Sequence, residues 1–179
     1  MGTVATPLRI LVVCTGNICR SPLAQRLFED RLGDRVMVRS AGVRGLDAAE
    51  MDPLAAVELA RRGGDPAGFR SRRLQPADVR EADLVLTMTA EQRSEVLAEE
   101  PAALSRTFTL RELVDLLDKS SVDPLDTKGI AELASQRSTA TLERYDIDDP
   151  IGESAAVHAA VADEIDAAVA VIAERLGAS

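Results

Sequence analysis

Two rhythms of apolar positions divide the chain. Short continuous runs rich in Val and Ile, such as LRILVVC from Leu8 to Cys14, alternate with stretches whose apolar residues recur every three or four positions. A run of the first kind predicts a strand buried on both faces of a parallel sheet. RVMVRSAG (Arg35 to Gly42), ADLVLTM (Ala82 to Met88) and RTFTL (Arg106 to Leu110) predict three more. The second rhythm predicts helices. In SPLAQRLFEDRLG, Leu23, Leu27, Phe28 and Leu32 share one face, with Pro22 suited to the first turn and Gly33 to the stop. DPLAAVELARRGG, TAEQRSEVLAEE behind a Thr cap, and RELVDLLDK follow. Near the end Val157, Val161, Ile165, Val169, Ile172 and Leu176 make a long amphipathic helix before Gly177. Strands alternating with helices imply an α/β fold, a doubly wound, four-stranded parallel sheet with helices on both faces. The rhythm weakens between Lys119 and Asp148, where only Ile130 to Leu142 reads as helix. That segment is either a cover over a site or a surface excursion.

Composition narrows the picture. The 179 residues suit a single domain, residues 1–179, with an extended segment at about 119–148. With 2% aromatic residues and no Trp, the core must be aliphatic. A formal net charge of −9 gives no footprint for nucleic acid or an anionic membrane, since both reward basic surface. Two cysteines do not make the disulfide framework of a small secreted domain and fit a reducing compartment. MGTVATPLRI lacks a basic segment followed by an apolar run, and no stretch approaches the roughly 20 apolar residues of a membrane helix. The expectation is a soluble, cytoplasmic protein.

Both cysteines lie in one eight-residue stretch, CTGNICRS, between the first strand and the first helix. In an open parallel sheet, ligands bind beyond the carboxyl ends of the strands. A tight loop there turns the backbone N–H groups of Thr15, Gly16, Asn17, Ile18, Cys19 and Arg20 inward, and the helix dipole adds positive potential, so the loop suits a phosphate-like oxyanion. Gly16 and Asn17 tolerate the left-handed backbone angles that such a wrap needs. Arg20 brings a planar fork for two phosphate oxygens. Cys14 sits at the centre of these groups, which favour the nucleophilic thiolate. Cys-x5-Arg therefore sets a nucleophile under phosphorus and a clamp around its oxygens. Ser21 is placed to hydrogen-bond the sulfur. An ATP-binding loop would end in Gly-Lys-Ser/Thr, and two cysteines with one histidine hardly supply four zinc ligands. No metal or cofactor is implied.

VCTGNICRSPLA resembles the signature of the low-molecular-weight protein tyrosine phosphatase family, C-x-G-N-I-C-R-S-P after the first strand. The resemblance implies Cys14 as nucleophile, Arg20 as phosphate clamp, Asn17 as the residue holding the loop in shape, Ser21 as donor to the thiolate and Ser40, in SAG, as the brace for Asn17. It also implies a general acid in an Asp-Pro pair before the last helix. YDIDDPIGES supplies Asp149, with Asp148 beside it as the lesser candidate. The chemistry needs such a group in any case, because a leaving phenolate must take a proton. A reversible disulfide between Cys14 and Cys19 is a further implication.

The chain departs from the family at several points. Leu46 and Ile151 stand where aromatic residues often wall the substrate site, and Phe69 replaces a histidine before RSR. Arg70, Arg72 and Arg73 read as a solvated loop able to favour acidic substrates, and His158 as structural or solvated. The resemblance implies hydrolysis of phosphotyrosine on phosphotyrosine-containing proteins, or of small aryl phosphates, through a phosphocysteine. The alternatives are an arsenate reductase on the same scaffold drawing on an external thiol, or a catalytically silent relative that binds phosphoproteins.

Overall fold

The computed structural model describes residues 6–177; the first half of MGTVATPLRI therefore lies outside the described residues. Four parallel strands, β1 (Leu8–Cys14), β2 (Val36–Gly42), β3 (Leu84–Thr87) and β4 (Thr107–Thr109), stand in the order β2-β1-β3-β4. The Val/Ile-rich β1 is central, paired with β2 from Leu8↔Val36 to Cys14↔Gly42 and with β3 from Ile10↔Leu84 to Val13↔Thr87. Successive strand residues point to opposite faces, and this divides the core. Ile10, Val12 and Cys14 enter the larger apolar layer, with Leu23, Leu27, Phe28, Ile165 and Val169. Leu11 and Val13 enter a smaller layer with Val79, Val85 and Val96.

Helices α1 (Arg20–Leu32), α2 (Pro53–Arg61), α5 (Leu110–Lys119) and α7 (Ala155–Gly177) cover the first face, whereas α3 (Pro76–Glu81) and α4 (Ala90–Glu99) cover the second. This is the doubly wound arrangement that the alternation implies. Helix α3 has no counterpart in the periodicity, because six residues are too few to show a face; Pro76 at its start and a capping box between Gln75 and Asp78 define it instead.

The segment after Lys119 also differs from expectation. Its helix, α6, runs over Thr127–Ser135 rather than 130–142. Asp126 starts it early by accepting from the Lys128 and Gly129 N–H groups, and a 3-10 turn at Arg137–Thr139 takes over where the apolar spacing stops. Ile130 and Leu133 join the core. Arg137 donates to the Thr107 carbonyl on edge strand β4, and its guanidinium lies 4.5 Å from the centre of the Phe108 ring. The middle of the segment thus covers a sheet edge. Its end returns to the carboxyl edge of the sheet, where the Ile147 N–H donates to the Met88 carbonyl at 2.9 Å. No described helix is long and apolar enough to cross a membrane.

Candidate active site

The stretch from Cys14 to Ser21 leaves the carboxyl end of the central strand and enters α1, as the sequence implies. Four of its carbonyls are claimed by neighbouring backbone. Val43 donates to Cys14 O at 3.0 Å, Arg44 to Thr15 O at 2.9 Å, Leu46 to Gly16 O at 3.3 Å and Asp52 to Ile18 O at 2.8 Å. Inside the loop, the Asn17 N–H faces its centre, toward Cys14 Sγ. Gly42 permits the close packing behind it, since a Cβ there would fall 2.4 Å from Thr15 O and 2.9 Å from Asn17 N.

Asn17 is the hub. It is fully buried with φ +56°, in the left-handed region that Asn tolerates better than most residues. The Arg72 N–H, which can only donate, reaches Asn17 Oδ1 at 2.9 Å and so fixes which way the amide faces. Asn17 Nδ2 then donates to Ser40 Oγ at 2.8 Å and Ser21 Oγ at 2.9 Å. Ser40 passes its own proton to Gln25 Oε1 at 2.6 Å. The Ser21 hydroxyl proton is left for Cys14 Sγ, 3.0 Å away, and the Asn17 N–H reaches the same sulfur at 3.3 Å. Two donors therefore converge on a buried sulfur, an arrangement suited to its anion.

Arg20 is 3% exposed and ties this loop to the end of the long segment. Nη1 donates to the Ile147 carbonyl at 2.9 Å, and Nη2 lies 3.1 Å from Asp149 Oδ2. Asp148 lines the same cleft but pairs with Arg144 rather than Arg20. Of the two candidate acids, only Asp149 is brought to Arg20. A cleft of about 230 Å³ opens here, walled by Thr15, Arg20, Glu91, Asp146, Asp148 and Asp149.

Leu46 and Ile151 are held near the site by backbone bonds, Leu46 to Gly16 O and Ile151 to Asp149 Oδ1 at 3.2 Å, and both side chains are exposed. Phe69 is buried in the core, so the position of the missing histidine is filled by packing. His158 is buried rather than solvated, with Nδ1 3.9 Å from Cys19 Sγ and 3.7 Å from Asp52 Oδ1. Cys14 and Cys19 are both free thiols. Burial pushes the Cys19 thiol well up, and Asp52, Cys14 and Asp149 add to the effect against the opposing charge of Arg20.

Sequence reasoning missed four contributors. Arg72 was read as part of a solvated loop, yet its backbone orients Asn17. Gln25 receives the Ser40 proton, and the Ile147 carbonyl receives Arg20. Gln92 joins the start of α4 to the loop, donating to Thr15 Oγ1 at 3.1 Å while accepting from the Met88 and Thr89 N–H groups. The capping box formed by Thr89 and Gln92 was the one available signal among these.

Comparison with known proteins agrees with the geometry. A protein-arginine-phosphatase of Geobacillus stearothermophilus is 38% identical over 118 residues, covering 66% of this chain and 79% of that protein. The low molecular weight protein-tyrosine-phosphatase Etp of Escherichia coli is 38% identical over 141 residues, covering 75% of this chain and 95% of that protein. Among solved structures, the YwlE arginine phosphatase from Geobacillus stearothermophilus matches with a TM-score of 0.75 and 32% identity over 96% of this chain and 94% of its own. The tyrosine phosphatase Wzb from Escherichia coli, in complex with sulphate, matches with a TM-score of 0.73 and 27% identity over 94% of this chain and 98% of its own. The model of the family described as low molecular weight phosphotyrosine protein phosphatase matches residues 9–128, which include the whole loop and Ser40, and the chain belongs to that family of hydrolases.

Proposed function

We propose that the protein hydrolyses phosphotyrosine in proteins, and small aryl phosphates, through a phosphocysteine formed on Cys14. The observation that carries this reading is the convergence of the Ser21 hydroxyl and the Asn17 N–H on Cys14 Sγ, with Arg20 in the same loop contacting Asp149. The sulfur of Cys14 attacks phosphorus in line with the leaving phenolic oxygen. Arg20 and the loop N–H groups hold the equatorial oxygens, where charge builds in the transition state. Asp149 gives the leaving oxygen its proton, and its carboxylate then takes one from the water that cleaves the phosphocysteine. Ser21 stabilises Cys14 as it departs. A reducing cytoplasmic compartment would keep both thiols free. If peroxide oxidises Cys14 to the sulfenic acid, condensation with the Cys19 thiol would release water and form a reversible disulfide.

A second substrate class rests on one observation. In the cleft beside Arg20, Arg20, Arg44 and Arg144 pair with Asp149, Glu95 and Asp148, which leaves Glu91 and Asp146 as carboxylates without an arginine partner that could meet a guanidinium. The Geobacillus relative is named a protein-arginine-phosphatase. The exposed apolar side chains of Leu46 and Ile151 favour an aryl group instead.

The test is release of phenol and phosphate from an aryl phosphate under reducing conditions, comparing the native chain with Cys14→Ser. Turnover by the native chain and none by the variant is expected; equal rates would refute the assignment. Matched phosphotyrosine and phosphoarginine peptides then decide the class, with kcat/KM expected to be higher for the former. Reduction of arsenate by an external thiol with no phosphatase turnover would select the reductase, and tight phosphopeptide binding without either activity the silent relative.

A further inference from the structure

Cys19, Asp52 and His158 are separated widely in sequence and occupy three different elements. Cys19 caps α1, Asp52 caps α2, and His158 lies in the first turn of α7. The fold brings one donor atom from each to a single point, with all three atoms within 4.8 Å of one another. His158 Nδ1 is 3.9 Å from Cys19 Sγ and 3.7 Å from Asp52 Oδ1. None of the three side chains has a role in the proposed hydrolysis, in which Cys19 takes part only through its backbone N–H.

We propose that the side chains of Cys19, Asp52 and His158 form a binding site for a thiophilic divalent cation, zinc being the best match, on the outer side of the phosphate loop's end. Thiolate, imidazole and carboxylate together are a zinc donor set. A tetrahedral ion with bonds of about 2.0–2.3 Å holds its donors roughly 3.3–3.6 Å apart, so the two shorter separations here need to close by only a few tenths of an ångström. The carboxylate is already held, because Asp52 Oδ1 accepts from the Leu54 N–H at 3.0 Å and the Ala55 N–H at 3.1 Å. A cavity of about 10 Å³ between Cys19, His158 and the apolar side chains of Leu23, Ala55, Val161 and Ile165 adjoins the cluster, room for the few tenths of an ångström by which the donors must move. On binding, the Cys19 thiol gives its proton to the buffer and its sulfur forms the bond to the ion. The ion, the thiolate, the carboxylate and neutral His158 then carry no net charge, which suits a buried place.

Sequence reasoning sets zinc aside because two cysteines and one histidine fall short of a ligand set. Asp52 supplies the missing donor, and only the fold brings it to Cys19. Bound there, the ion would fasten the end of the phosphate loop to the starts of α2 and α7, and α7 begins just after the loop that carries Asp149.

The test uses cobalt(II) added to the full-length Cys14→Ser variant with a non-thiol reductant. Cys19 is then the only thiol in the chain, so any thiolate-to-cobalt charge-transfer band reports on it. A near-ultraviolet band with the visible bands of a tetrahedral ion, saturating at one cobalt per chain and displaced by zinc, is expected. Adding His158→Gln or Asp52→Asn should weaken binding by at least about tenfold. Asparagine still caps α2, so Asp52→Asn decides the matter even if the histidine variant fails to fold. Absence of the band in the folded Cys14→Ser variant, or a band of unchanged affinity in the further variants, would overturn the site. Because that variant has no nucleophile, the result does not depend on whether the chain is a phosphatase.

Discussion

Replacing Asn17 tests the loop as a device set by one buried amide. In Asn17→Ala the Arg72 N–H loses its acceptor, and Ser21 and Ser40 lose the donor that orders their hydroxyls. At about 1 kcal/mol net for each lost hydrogen bond, this costs about 3 kcal/mol. Alanine keeps the Cβ that Asn17 already carries at φ +56°, so the backbone adds nothing to this cost. A loss near 3 kcal/mol should lower the thermal midpoint of a 179-residue chain by roughly 6–12 °C. Asn17→Gly loses the same hydrogen bonds but is relieved of the Cβ's crowding against the following carbonyl, and should be the more stable of the two by roughly 1 kcal/mol. Urea unfolding of the three proteins measures both differences, and steady-state turnover should fall in both variants because Ser21 no longer aims its proton at Cys14. A loss below about 1 kcal/mol in Asn17→Ala, or an alanine variant as stable as the glycine one, would refute the reasoning.

Two further outcomes follow from the outer parts of the site. Asp149→Asn should lower kcat on a phenyl phosphate by about 10²–10⁴-fold, while Asp148→Asn, whose partner is Arg144, should leave it nearly unchanged; the reverse pattern would move the acid to Asp148. Asp115 anchors the long segment. Burial works against its charge, yet Lys119 at 2.7 Å, the Thr141 N–H at 2.9 Å and the Tyr145 hydroxyl at 3.0 Å hold its carboxyl below the usual range. A carboxyl depressed in the folded state contributes stability above its unfolded pKa and loses it as pH falls through the folded value. Asp115→Asn should therefore unfold more easily than the native chain at neutral pH, and the gap in urea midpoint should close in strong acid. A gap independent of pH would show that the ion pair is not its source.

What the sequence made legible depended on whether partners were neighbours along the chain. The loop was readable because Cys14, Asn17, Arg20 and Ser21 lie within eight consecutive positions between a strand and a helix. Strands β1 and β3 were readable because both of their faces are largely buried, which leaves nearly unbroken apolar runs, whereas edge strand β2 alternates buried Val36 and Val38 with exposed Met37 and Arg39. The Ile147 carbonyl and the Arg72 N–H were not readable, since a backbone group has no residue type to announce it. Gln25 and Gln92 were readable only as helix residues, because their serine and threonine partners arrive through the sheet and its crossovers. The segment after Lys119 failed for a different reason. Ile130 and Leu133 join the core while Arg137 holds edge strand β4 and the Leu125 N–H reaches the Arg175 carbonyl in α7, so no single period governs the segment.

That segment also explains how an exposed acid is set against a buried arginine. The Asp149 side chain is 47% exposed, too open for its own packing to place it. Two residues earlier, Ile147 is fully buried and held at both backbone atoms, its N–H by the Met88 carbonyl and its carbonyl by Arg20. Met88 is itself held by the Val13 carbonyl, one residue before the nucleophile, and by Gln92, which also holds Thr15. Strand-end backbone bonds thus fix the chain two residues before Asp149 relative to Cys14, and the carboxylate's contacts with Arg20 and the Ile151 N–H complete its placement. On the other side of the acid, Pro150 is buried and limits the backbone before α7 begins. The side chain of Asp149 can remain open to solvent, as proton exchange requires, while the chain on either side holds its position beside Arg20.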